Sequence, residues 1–115
     1  MNIISGSTPQ KKQPKMPKLG YFNRAELSLI LNTYSRRVAA GEWRDYAIDN
    51  IDGAAFFSIF RSSQEMPLFT IEKKRLKGKD RWLFILRDRR KNLRQGARLT
   101  DILEYLNNLP RLVNN

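Results

Sequence analysis

A chain of 115 residues with no cysteine, no histidine and a net charge of +11 has room for one small basic domain, and several chemistries are excluded from it at once. Without cysteine there are no disulfides, thiolate nucleophiles, iron–sulfur ligands or Cys-based zinc sites; without histidine the usual general base and the usual transition-metal ligand are missing. A hydrophobic fraction of 41%, with six Phe, four Tyr and two Trp, is enough to build a core.

Residues 1–21 are rich in Ser, Gln, Pro and Lys, with Pro9, Pro14 and Pro17 interrupting any helix and Lys11, Lys12, Lys15 and Lys18 repelling one another. They read as a flexible basic leader, followed by a single α+β domain over residues 22–112. The start carries no apolar run of the length of a secretory signal, and no stretch approaches the roughly 20 apolar residues of a membrane span, so a cytoplasmic protein is expected.

The first helix is marked by Asn23 as a cap, Glu26 three residues on and Phe22 placed to staple against Leu27. Leu27, Ile30, Leu31, Tyr34 and Val38 form one apolar stripe, and Gly41 ends it. From Arg44 the period shifts toward two, with Tyr46 and Ile48 on one side of a strand and Ala47 and Asp49 on the other. Asp52-Gly53 signals a hairpin, with a loop of about five residues expected rather than the tight two-residue form. Ala54 to Phe60 is apolar on both faces, as in the middle of a sheet covered twice.

After a polar loop and Pro67, Leu68 to Lys73 alternates again; Lys77 to Asp80 turns the chain, and Arg81 to Arg87 forms a strand whose Trp82, Phe84 and Leu86 share a face. Asp88 to Arg90 reads as a turn, Lys91 to Arg94 as a short fifth strand and Gly96 as a break. Leu99, Ile102, Leu103, Leu106 and Leu109 then lie at helical spacing before Pro110. The expected fold is an antiparallel meander of four to five strands with an N-terminal and a C-terminal helix on one face. The second face of Ala54 to Phe60 then needs a cover: a second copy in a homodimer, the leader or a ligand.

In GEWRDYAID at Gly41 to Asp49, and in FSIFRSSQEMPLFTIEK at Phe57 to Lys73, the chain resembles a small alphaproteobacterial family classed as a domain of unknown function. The likeness runs from Phe22 to about Leu112. It implies a bacterial cytosolic protein and supplies no catalytic residue.

The charge is uneven. Between Lys73 and Arg98 twelve Lys or Arg stand against only Asp80 and Asp88, a local net charge of +10. Lys73, Lys74, Arg75, Lys77, Lys79 and Arg81 flank one turn; Arg87, Arg89, Arg90, Lys91, Arg94 and Arg98 flank the next. Because the intervening strand spans about 20 Å at roughly 3.3 Å per residue, these cations form two poles or a stripe along one edge. Three readings fit: binding of nucleic-acid phosphates, RNA or DNA; a generally charged surface, including charges that guard an edge strand; and an acidic protein partner. The first is preferred, with a dimeric adaptor for an acidic protein as the alternative.

Other constellations carry less. Trp82 and Phe84 beside arginines invite comparison with a base-stacking platform, but core packing is the better account of them, and no RNA-recognition, helix-turn-helix or zinc-finger signature is present. Glu42, Arg44, Asp45, Tyr46 and Asp49 form a dense polar cluster whose Asp45 and Asp49 share a strand face; salt bridges explain it better than acid–base or cation chemistry. Trp43 is expected to plug the corner between helix and strand. Lys77-Gly78-Lys79 lacks phosphate-loop spacing and Ser62-Ser63 lacks a histidine partner, so no enzyme activity, metal or cofactor is expected.

Overall fold

A computed structural model describes residues 21–62, 65–78 and 80–110. The expected leader therefore lies, apart from Tyr21, outside the described residues. The elements run α1 (Arg24–Ala39), β1 (Asp45–Ile51), β2 (Ala54–Phe60), β3 (Phe69–Arg75), β4 (Trp82–Arg87), β5 (Asn92–Gly96) and α2 (Leu99–Asn107). The strands form one antiparallel sheet in the order β1-β2-β3-β4-β5, the expected meander.

The entry to α1 is built as its sequence dictates. The Asn23 side chain accepts from the Glu26 backbone N–H at 2.8 Å, and the Glu26 carboxylate accepts from the Asn23 N–H at 2.8 Å, a reciprocal capping box. Gly41, at φ +80°, lets the chain reverse after the helix, with its N–H donating to Val38 O and that of Glu42 to Arg37 O. The buried side of α1 differs from the expected stripe: Thr33 is enclosed and Val38 is exposed. The face that turns inward also meets α2, so Ile30 and Thr33 define it.

The β1–β2 hairpin is the tight two-residue form, not the longer loop expected. Asn50 and Ile51 continue the ladder opposite Ala55 and Ala54, leaving Asp52 and Gly53 as the turn, both at positive φ. Two left-handed residues match the twist of the flanking strands. The fifth strand runs later than expected, because Lys91 belongs to the preceding turn, and Gly96 is its last residue, opposite Phe84. The Leu86/Arg87 register shift bends this edge.

Alternation and pairing sort the side chains onto two faces. Ala55, Phe57 and Ile59 of β2, Ile71 of β3 and Phe84 and Leu86 of β4 join Ile30, Leu99, Ile102, Leu103 and Leu106 of the two helices in one core. Trp43 completes it at the helix-to-strand corner, 2% exposed. The expected corner plug is in place. Both helices therefore cover one face.

No helix among the described residues lies on the other face, yet that face is partly sealed. Asp49, Phe56, Glu72, Ile85 and Gln95 form its central row, and Glu72 pairs with Arg87 at 2.6 Å. Ile85 and Ala54 are buried although neither belongs to the core cluster. The ion pair and the apolar stems of its neighbours shield them. Ile51, opposite Ala54 on the same face, is 55% exposed, so the cover is incomplete at the β1 margin.

Candidate nucleic-acid interface

The basic segment is distributed over β3, β4, β5 and their turns, and the structure divides its cations into those already engaged and those facing solvent. Lys73 belongs to the first group. Its side chain is on the helix side of β3, its Nζ donates at 2.8 Å to Glu26 Oε1 and at 2.8 Å to the Tyr21 carbonyl, and it lies 4.8 Å from the centre of the Trp82 ring. At 5% exposure it presents almost no cationic surface to solvent.

Arg75 is paired with Asp80 across the β3–β4 turn, and Arg87 with Glu72 on the open face. Arg89 serves as a clamp on the β2–β3 loop, donating to the carbonyls of Met66 at 2.8 Å and Pro67 at 3.1 Å and to Glu65 at 3.3 Å. Arg98 reaches Asp101 at 3.4 Å, an exposed and weak contact. Arg94 lies 5.7 Å from the Tyr105 ring centre while remaining exposed. Lys79 lies outside the described residues.

Lys74, Lys77, Arg81, Arg90 and Lys91 remain, all exposed and, among the described residues, without a carboxylate partner. Antiparallel topology puts them at two ends of β4, as two poles. Lys77 and Arg81 mark the end shared by the β3–β4 turn, with Lys74 close by on the open face. Arg90 and Lys91 mark the opposite end, in the β4–β5 turn.

Both poles are held firmly. Leu76 N–H donates to Arg81 O at 2.8 Å and Gly78 supplies the positive φ of the first turn. In the second, Asp88 Oδ1 accepts from the backbone N–H groups of Arg90 at 2.8 Å and Lys91 at 2.9 Å, and Asp88 N–H donates to Lys91 O at 3.0 Å. Those two backbone bonds, Arg90 first, hold the Asp88 carboxyl below its ordinary value. An Asx-type turn is the local reason these two cations project together.

The opposite margin is acidic. Asp45 and Asp49 of β1 lie on the open face beside Phe60 and Phe56, and Asp52 follows in the hairpin turn. The sheet is thus polarised across its strands, carboxylates at β1 and cations along β4 and β5. Within the polar cluster that begins at Glu42, that residue is separate: it is buried and bound by Arg37 at 2.6 Å. No group of three or more Asp or Glu side chains that could hold a metal occurs among the described residues.

Some of these relationships were legible in the sequence and others were hidden in it. Trp82 and Phe84 of the basic strand face the helices and pack there, as their shared face with Leu86 led one to expect. The half-exposed aromatics of the open face are Phe56 and Phe60, which sequence reading treated as sheet interior. The strand's two-sided apolar pattern was their signal, but which side lacked a helix was not encoded locally.

The family model described as "Protein of unknown function (DUF2794)" matches residues 21–103. The chain belongs to that family. The matched span takes in α1, all five strands and the first half of α2, and therefore both cationic poles. Comparison with curated proteins and with solved structures finds no match. In this family member no described helix is long and apolar enough to cross a membrane.

Proposed function

We propose that this DUF2794 chain is a small cytosolic binding module that contacts the phosphates of nucleic acid through the cations at the two ends of β4. The observation that carries the reading is the separation of charge: Lys74, Lys77, Arg81, Arg90 and Lys91 face solvent without carboxylate partners among the described residues, while the carboxylates of the sheet margin gather at β1. A net charge of +11 adds a general attraction to polyanions, and the local excess supplies direction.

Binding of a labelled mixed-sequence oligonucleotide, DNA or RNA, single- or double-stranded, tests the reading by fluorescence anisotropy. With four to five phosphates neutralised, log K should fall with log salt at a slope of about −4 on duplex DNA, and affinity should fall about 10²-fold from 50 to 200 mM salt. Replacing Lys77, Arg81, Arg90 and Lys91 together by Gln should remove most of that slope. If no nucleic acid binds at 50 mM salt the reading fails, and the same surface becomes that of an adaptor for an acidic protein.

A further inference from the structure

We infer that the nucleic acid taken by this surface is double-stranded DNA, held by its two backbones along β4 with no stacking of bases, an inference that rests on the phosphate-binding reading above. Two features of the cationic half of the sheet lead to it: how its charges are spaced and where its aromatic rings are.

The charges come in two groups, Lys77 with Arg81 and Arg90 with Lys91, separated by the length of β4, about 20 Å at roughly 3.3 Å per residue. Each group is tied into a hydrogen-bonded turn, so the backbone spacing between the two groups is set by the sheet. The B-form major groove is about 12 Å wide, and the phosphates on its two rims stand roughly 18 Å apart once their own radii are added. A pair of cationic groups carried on backbone turns at that span can reach both rims of one groove. A single strand has no fixed spacing to match, and it would satisfy either group alone.

Proteins that hold single strands draw about 1–3 kcal/mol per base from stacking on exposed aromatic rings. Among the described residues, the open face of the cationic half offers no such ring. Trp82 and Phe84 of β4 point to the helix side, and the open-face residues of that strand are Leu83, Ile85 and Arg87. The open-face rings, Phe56 and Phe60, stand directly opposite Asp49 and Asp45 across the β1–β2 ladder. Those carboxylates repel the phosphates that a stacked base would bring with it. Helix α2 packs against β4 and β5 on the other side, which leaves the open face and the β5 edge as the approach for a duplex.

The test compares a 20-base-pair DNA duplex with each of its single strands and with an RNA duplex of the same sequence, under the same salt series. Duplex DNA should bind about tenfold or more tightly than either strand, and more tightly than the RNA duplex, whose major groove is deep and narrow. The paired variants Lys77→Gln with Arg81→Gln, and Arg90→Gln with Lys91→Gln, should each flatten the duplex slope by about two, since each removes one pole. Phe56→Ser should leave duplex affinity unchanged. A single strand or RNA duplex that binds as tightly as duplex DNA overturns this inference and leaves nucleic-acid binding standing. So does a loss of affinity on Phe56→Ser with the fold intact by circular dichroism. If neither form of DNA or RNA binds, the proposed function itself falls.

Discussion

The Arg37 guanidinium closes on the Glu42 carboxylate at 2.6 Å, and its other terminal nitrogen donates at 3.0 Å to the carbonyls of both Leu106 and Asn107. One side chain of α1 thereby ties the corner leading into β1 to the last turn of α2, adding a donor to the Asn107 carbonyl and a second to the Leu106 carbonyl, which also accepts from the Leu109 N–H. A cation at that place is also favoured by the α2 dipole. The same guanidinium lies 5.6 Å from the Trp43 ring centre, so the pair braces the corner plug. Removing one partner takes the short ion pair out of a site where Glu42 is 4% exposed.

Arg37→Ala or Glu42→Ala should therefore cost about 3 kcal/mol, the range for breaking a buried pair. Urea denaturation followed by tryptophan fluorescence reads the loss as a lower midpoint. Replacing both together, Arg37→Met with Glu42→Leu, should recover most of the stability, because neither charge then remains in the site. A single variant with an unchanged midpoint would show that water reaches the site freely.

Lys73 separates folding from binding within one charge run. Its pair with Glu26 joins β3 to the start of α1, and Lys73→Met should lower stability by about 2 kcal/mol through the lost pair and hydrogen bonds. On DNA the same variant should leave the salt slope within error of the parent, while Arg90→Gln with Lys91→Gln changes it by about two. Equal effects on the slope would mean that Lys73 is available to phosphate and that its enclosure is transient.

Asp88 links a turn to pH. Its carboxyl is held below its ordinary value of 3.8 by bonds from the backbone of Arg90 and Lys91, so the ionised form is the one the fold prefers. A depressed acid contributes stability that is complete above the unfolded value and lost as pH falls through the folded one. Asp88→Ala should be less stable than the parent at pH 7 by about 1 kcal/mol, with the gap narrowing below about pH 4 as the parent loses the same bonds. Asp88→Asn, which keeps an acceptor, should fall between the two at pH 7. Thermal melts at pH 7 and pH 3 measure the gap.

Trp43 presents a buried polar atom whose partner is missing among the described residues: its Nε1 makes no hydrogen bond to any of them. Leaving such a donor unpaired costs about 1–3 kcal/mol, an amount that Trp43→Phe gives back while losing part of the indole packing. The variant should thus lie within about 1.5 kcal/mol of the parent, against about 3–5 kcal/mol for Trp43→Ala. Comparing the two urea midpoints checks it. A loss for Trp43→Phe as large as that for Trp43→Ala would show that the indole N–H has a partner in solution.

Much of the fold was legible because its signals are local. Asn23 and Glu26 sit three residues apart, and the apolar residues of α2 repeat at helical spacing; neither needs information from elsewhere in the chain. The antiparallel order of the strands followed from short connections, and Trp43 was readable as a corner plug from its place after Gly41. The hairpin at Asp52-Gly53 was read too long, because the ladder contributions of Asn50 and Ile51 depend on the partner strand and not on their own propensities. Thr33 and Val38 exchanged places for a similar reason: the inward side of α1 is set by where α2 lies.

By itself the sequence determined that the chain is basic, that its charge is concentrated between Lys73 and Arg98, and that cysteine and histidine chemistry are absent. Composition and spacing are properties of the chain, and folding does not change them. Only the tertiary structure decided which of those cations are spent. Lys73 is turned inward by strand alternation onto the helix face, where Glu26 meets it, and Arg89 is drawn to the carbonyls of a loop more than 20 residues away. Arg90 and Lys91, next to it in the chain, stay in solvent because Asp88 binds their backbone and leaves their side chains free of it. Neighbouring cations of the same chemistry thus end in different roles, since partner distance is fixed by the packing of distant segments and not by adjacency along the chain.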